Sequence, residues 1–206
     1  MTARWQGRDG AMTALSRAPH ERCAAAYAGR MAAAAGLDKL PLVMDDAAVR
    51  VVVEANAGSR NKLKYEPASG VFELHHVLPL GMSFPYDFGF LPSTLGGDGD
   101  PLDAIVFADA PVPPGTVIAC RLIGVIEAEQ GKPGERRNRN DRHLAVARLS
   151  HLYRDWHNIG DVPAQALDEL EAFFVTYNRQ RGIEFRPLAR GDAARSTELV
   201  TQGRRG

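Results

Sequence analysis

The sequence predicts a mainly β fold with peripheral helices, an α+β domain built on a twisted sheet or small barrel. Three observations carry that expectation. Short β-branched or alternating runs succeed one another from Val49, and turns bearing glycine and proline punctuate them. A helical period appears only late, where Leu167, Leu170, Phe173, Phe174 and Tyr177 share one face. A single apolar helix stripe after several strands has to bury itself against the sheet.

Taken in order, residues 1–36 stand apart. They are alanine-rich, dotted with arginine and poor in branched apolar residues, with Pro19 and Gly36 bracketing a helix candidate. The expectation there is a loosely attached extension. Val49 to Glu54 reads as a β-branched strand, and Val71 to Leu78 alternates with period two, which sends His75 and His76 to opposite faces. Ala104 to Phe107 is a short apolar strand. Thr116 to Glu127 is longer and follows the turn Pro113-Pro114-Gly115, and Leu144 to Leu149 is a further strand. Asp161 and Pro163 start the late helix and Gly182 stops it. The expected organisation is therefore an extension over 1–36, one domain over 37–190 and a polar tail over 191–206.

Composition removes several function classes. The chain of 206 residues balances Lys+Arg 25 against Asp+Glu 25, so no net field draws it to nucleic acid or to an anionic membrane. Cys23 and Cys120 form no C-x-x-C pair and no disulfide framework, which suits a reducing cytoplasm. Cys120 lies in a strand-like run and reads as a small core residue. Charged residues such as Arg30 and Arg121 interrupt the longest apolar runs, and no signal peptide is read.

The densest chemistry lies in Asp98-Gly99-Asp100-Pro101-Leu102-Asp103, three carboxylates in six residues with Gly96 and Gly97 just before them. Two bare charges about 4 Å apart in a partly buried site repel by roughly 4 kcal/mol. Such a turn is either fully solvated or held together by a cation, and an all-oxygen ligand set suits magnesium or manganese better than zinc. A polar turn ahead of a strand is the alternative reading. A calcium loop fails, because Asp103 takes the sixth place, which requires glycine. Zinc fails too: His75 and His76 diverge, and His151 and His157 lack cysteine companions. The sequence has no P-loop, no G-x-G-x-x-G cradle and no G-x-S-x-G elbow.

At this cluster the sequence resembles the soluble, magnesium-dependent inorganic pyrophosphatases. Asp98 to Ala104 matches their D-x-D-P-hydrophobic-D signature, followed by a small residue. The flanks agree in collinear order over roughly 37–190. They include Gly58-Ser59-Arg60-Asn61-Lys62, the run from Phe84 to Leu95, Asn140-Asp141-Arg142 with Leu144-Ala145-Val146, and Phe173-Phe174-Val175-Thr176-Tyr177. The resemblance implies a five-stranded OB-like barrel, a cytoplasmic location and a homo-oligomer, commonly a hexamer in bacterial members. It also implies two or more Mg²⁺ ions, with Mn²⁺ as a substitute.

Carried over to this chain, the resemblance makes Asp98, Asp103 and Asp141 metal ligands and Glu54 a supporting carboxylate. Asp100 resembles the residue that orients and deprotonates the attacking water. Lys62 and Tyr177 match phosphate-holding positions. Several positions depart from the pattern: Lys64 stands where a supporting glutamate is usual, and His76 where a phosphate-binding arginine is common. Phe88 replaces a tyrosine, Gln130 falls near another metal aspartate, His143 takes a lysine position, and Asn178 replaces the lysine after Tyr177. His76 and Arg142 are accordingly the added substrate-binding candidates, with Arg179, Arg181 and Arg186 as further replacements.

The functional expectation is hydrolysis of inorganic diphosphate to two phosphates by metal-activated water. One alternative is a divergent or weakly active phosphohydrolase acting on another diphosphate. The other is a non-catalytic OB-type nucleic-acid module, which lacks a basic-aromatic stripe here.

Overall fold

The computed structural model describes residues 36–44 and 48–205, so the extension expected over 1–36 lies, apart from Gly36, outside the described residues. The strands are β1 (Val49–Ala55), β2 (Asn61–Glu66), β3 (Val71–Val77), β4 (Asp87–Phe90), β5 (Asp103–Phe107), β6 (Val117–Gly131), β7 (Asn138–Arg139), β8 (Arg142–Ala147) and β9 (Glu184–Asp192). Among the described residues two α-helices, α1 (Ala164–Arg179) and α2 (Ala193–Gln202), flank β9.

Five strands close a ring in the order β1-β4-β5-β8-β6, with β6 pairing back onto β1. The ring is uneven. Its β5–β8 contact is parallel and the others are antiparallel. Strand β6 runs on beyond the ring to pair with β9 and β7, and β2 and β3 form a separate hairpin sheet. The mainly β, OB-like expectation with outer helices therefore holds.

Both faces of the central strands are covered, which is why they read as continuous apolar runs. Alternate residues feed two clusters. Ile105, Phe107, Leu144 and Val146 join Phe84, Phe88 and the α1 residues Leu170 and Phe174. Ala104, Val106, Ala145 and Ala147 join Leu42, Leu91, Cys120 and the α2 residue Val200. Alanines on the second face let the short α2 lie close to the sheet. Cys120 is fully buried there, and burial pushes its thiol well above the usual range, as suits a core residue.

Strand β4 needs Gly89. A Cβ there would stand 1.9 Å from the Val52 carbonyl oxygen, so β1 and β4 close only around a residue without a side chain.

The sequence expectation of a polar tail over 191–206 is corrected by the structure. Residues 191 and 192 finish β9, and Asp192 caps α2 by accepting from the Arg195 amide. Only Ser196 and Val200 of α2 are buried, too few apolar residues to announce a helix in sequence. Among the described residues no helix is long and apolar enough to cross a membrane.

Candidate active site

Most of the predicted residues converge on one cavity, with a volume of about 180 Å³. That is below the roughly 300–1,000 Å³ of sites for drug-sized ligands and suits a small substrate. Glu54, Lys62, Asp98, Asp100, Asp103, Arg142 and Tyr177 all line it. Lys64, His75, Gln130 and Arg181 line it too.

Each acid is placed by a local feature. Glu54 sits where the β1–β4 register slips between Val53 and Ala55, and such a bulge re-aims a side chain. Its Oε2 accepts from Lys62 Nζ at 2.7 Å, and Lys62 in turn lies 4.0 Å from the Phe88 ring centroid. Phe88 thus gives Lys62 an aromatic platform.

Asp98 and Asp100 belong to a turn closed by Gly96 N–H donating to the Asp100 carbonyl at 2.7 Å. Gly99 occupies the left-handed region with φ +90, where a side chain would be strained. Asp98 accepts from the Asp100 amide at 3.2 Å and from Asn140 Nδ2 at 2.9 Å. Both Asp100 oxygens accept from Lys64 Nζ, at 2.9 and 2.8 Å. Asp103 opens β5 on the face of Ile105 and Phe107, and its Oδ2 accepts from Arg142 Nη1 at 2.6 Å.

Desolvation holds the Asp103 carboxyl above the usual range, with Glu54 and Asp98 repelling its charge and Arg142 and Lys62 opposing the rise. Asp98 is raised as well, first by desolvation and then by the charge of Asp100. Burial pulls the Lys64 ammonium down, but its hydrogen bond and attraction to Asp100 outweigh that and leave it raised.

The opposite wall carries Tyr177 and Arg181. The Tyr177 ring is packed among Phe84, Phe173 and His76, and Arg181 lies 5.3 Å from its centroid with Nη1 3.5 Å from the hydroxyl.

Three candidates are held differently. Asp141 does not line the cavity: it is buried, and its Oδ1 accepts from the Ala128 amide at 2.8 Å and from Arg139 Nε at 2.6 Å. His76 does not line it either. A register shift opposite Lys62 and Leu63 puts His75 out of the alternation, so His75 faces the cavity while His76 packs edge-on against Tyr177. Arg142 reaches the cavity, where its Nη1 donates to Asp103 and to the Asn140 side chain.

His143 and Asn178 are buried and serve packing. His143 Nδ1 lies 2.9 Å from Ser196 Oγ under α2, and Asn178 donates to the Phe174 carbonyl. Sequence reasoning missed the Lys64–Asp100 pair, the Asn140 contact with Asp98 and the place of His75. Lys64 and Asp100 are 36 residues apart, and no local pattern joins them.

The donor set suits a hard divalent ion, since Glu54, Asp98, Asp100 and Asp103 offer only carboxylate oxygen. Among the described residues, no group of three or more His, Cys, Asp or Glu converges as a ready metal cage. The reason is visible in the contacts: Glu54, Asp100 and Asp103 are each turned to a cation of the protein itself.

Comparison with known proteins agrees with this geometry. The family model described as inorganic pyrophosphatase matches residues 51–205. The inorganic pyrophosphatase of Thermus thermophilus is 40% identical over 144 residues, covering 68% of this chain and 74% of that protein. That of a Synechocystis strain is 36% identical over 141 residues, covering 68% and 80%. The crystal structure of the Thermus thermophilus enzyme superposes with a TM-score of 0.75 at 32% identity, covering 82% of this chain and 97% of that one. A Helicobacter pylori inorganic pyrophosphatase gives 0.72 at 26% identity, covering 80% and 96%.

Proposed function

The chain belongs to the inorganic pyrophosphatase family and hydrolyses pyrophosphate, and from that premise we propose how its residues share the work. The observation that carries the reading is the meeting, in one small cavity, of Asp98, Asp100 and Asp103 with Lys62, Arg181 and the Tyr177 hydroxyl.

Magnesium is the proposed ion, with manganese as its substitute. Asp98 and Asp103 would hold it, and Glu54 and Asp141 would support it. A hard ion held there would supply positive charge for the diphosphate oxygens and would lower the pKa of a water towards about 7. Asp100 takes the proton of that water as its oxygen bonds to one phosphorus. The bridging P–O bond breaks and the departing phosphate keeps the electron pair. Lys62, Tyr177 and Arg181 meet the charge that develops on that phosphate. No protein nucleophile is needed, because the acceptor is water.

The proposed setting is the cytoplasm and the proposed assembly a homo-oligomer, a hexamer by resemblance. The test is phosphate release from pyrophosphate, nucleotides and polyphosphate, with magnesium and with chelator. Release from pyrophosphate alone, abolished by chelator, is the expected result. Undiminished release under chelation removes the magnesium reading, and preference for a nucleotide transfers the site to another diphosphate.

A further inference from the structure

Asp100 and Asp103 are already partnered, by two cations of different freedom. The Arg142 side chain is 4% exposed, and its guanidinium carbon lies 4.9 Å from the ring centroid of Phe174 and 5.1 Å from that of Phe185. The same Nη1 that meets Asp103 also donates to the Asp141 carbonyl at 3.0 Å and to the Asn140 side chain. Arg142 and Asp103 stand in register on adjacent strands. Breaking such a pair strands a buried charge.

Lys64 has none of these restraints. Its side chain is 43% exposed, as Asp100 is at 55%, and it reaches over from the separate β2–β3 hairpin. Exposed pairs of this kind are weak and yield to a competing ion.

We propose that Arg142 is a fixed counter-cation of the acidic cluster and Lys64 an exchangeable one, so that the cavity holds one divalent ion rather than two. The ion binds at Asp98 and at Oδ1 of Asp103, and its charge releases Lys64 from the neighbouring Asp100, which is then free to take a proton. Arg142 keeps Oδ2 and supplies there the positive charge that a second ion would bring. Lys64, once released, stays at the cavity wall as a cation for the substrate. The inference rests on the reading of this cavity as a cation-dependent diphosphate site, and it concerns which charges are resident.

The test is Mn²⁺ titration of the full chain without substrate, reading free Mn²⁺ by electron paramagnetic resonance. Wild type is expected to bind one ion per chain. Lys64→Met should bind one ion about tenfold more tightly, because a competing charge is gone. Arg142→Met keeps an apolar stem against the phenylalanines and should bind a second ion, whereas Arg142→Lys should bind one. If the Arg142 variants do not fold, wild-type stoichiometry and the Lys64→Met affinity still decide. Two ions in wild type, or unchanged affinity in Lys64→Met, overturns the inference while leaving pyrophosphate hydrolysis intact. No Mn²⁺ bound by any of the proteins overturns the cation-dependent reading itself, and this inference with it.

Discussion

Asp103 and Arg142 stand opposite one another on β5 and β8, the parallel pair of the ring, with Oδ2 and Nη1 2.6 Å apart. The register that stacks Ile105 on Leu144 and Phe107 on Val146 thus pairs a buried guanidinium with a half-buried carboxylate at the cavity. Arg142→Ala leaves Asp103 without its partner and should destabilise the fold by about 3–5 kcal/mol. Urea unfolding in chelator measures this. Added Mn²⁺ should restore part of the loss, since a ligand of the folded state stabilises by mass action. A loss under about 1 kcal/mol in chelator would mean that solvent reaches the pair.

Asp100 is the proposed base, and Asp100→Asn keeps the shape of the turn while removing the proton acceptor. Turnover should fall by roughly 10²- to 10⁴-fold. Stabilisation by metal should largely persist, since Asp98 and Asp103 remain. Near-normal turnover with lost metal affinity would make Asp100 chiefly a ligand.

How far the sequence foretold this site depends on where the chain is regular. The apolar alternation of β5 and β8 was legible, and so was the stripe of α1, because each side of those strands is buried by a different element. The acidic turn was legible through its glycines and its motif. The two bulges were not. One residue at Glu54 and one at His75 shift the register, and period-two reasoning cannot anticipate an inserted residue. The place of Asp141 was not legible for another reason: the motif gives the residue but not its rotamer, and Ala128 and Arg139 hold its Oδ1. Helix α2 escaped notice because only Ser196 and Val200 of it are buried.

The phosphate clamp should depend on Arg181 and not on His76. Burial, then the charges of Arg181 and His75, lower the His76 imidazole below its ordinary value, so it carries no charge at neutral pH. His76→Ala should leave the pH profile of KM superimposable on wild type at saturating magnesium. Arg181→Ala should raise KM by about tenfold with a smaller change in kcat. A KM that worsens with rising pH in wild type but not in His76→Arg would return the clamp to His76.

The pH dependence of stability should report His143. The residue is fully buried on β8, with Nδ1 facing Ser196 and Nε2 without a hydrogen-bond partner. Desolvation, then the charges of Arg142 and Arg139, push its imidazole down to about 3, against about 6.5 for an exposed histidine. Between those values the unfolded chain binds a proton that the folded chain refuses. Stability is therefore fully present above pH of about 6.5 and declines as pH falls towards 3, by up to about 1.4 kcal/mol per unit from this one group. His75 and His76 are also lowered and act in the same direction. Comparison with His143→Gln, which keeps a polar group towards Ser196, isolates the buried residue. Urea unfolding at pH 5 and pH 7 should show a wild-type difference larger than that of His143→Gln by about 2 kcal/mol. Equal differences in the two proteins would mean that His143 accepts its proton within the fold, with Nε2 reaching water beneath α2.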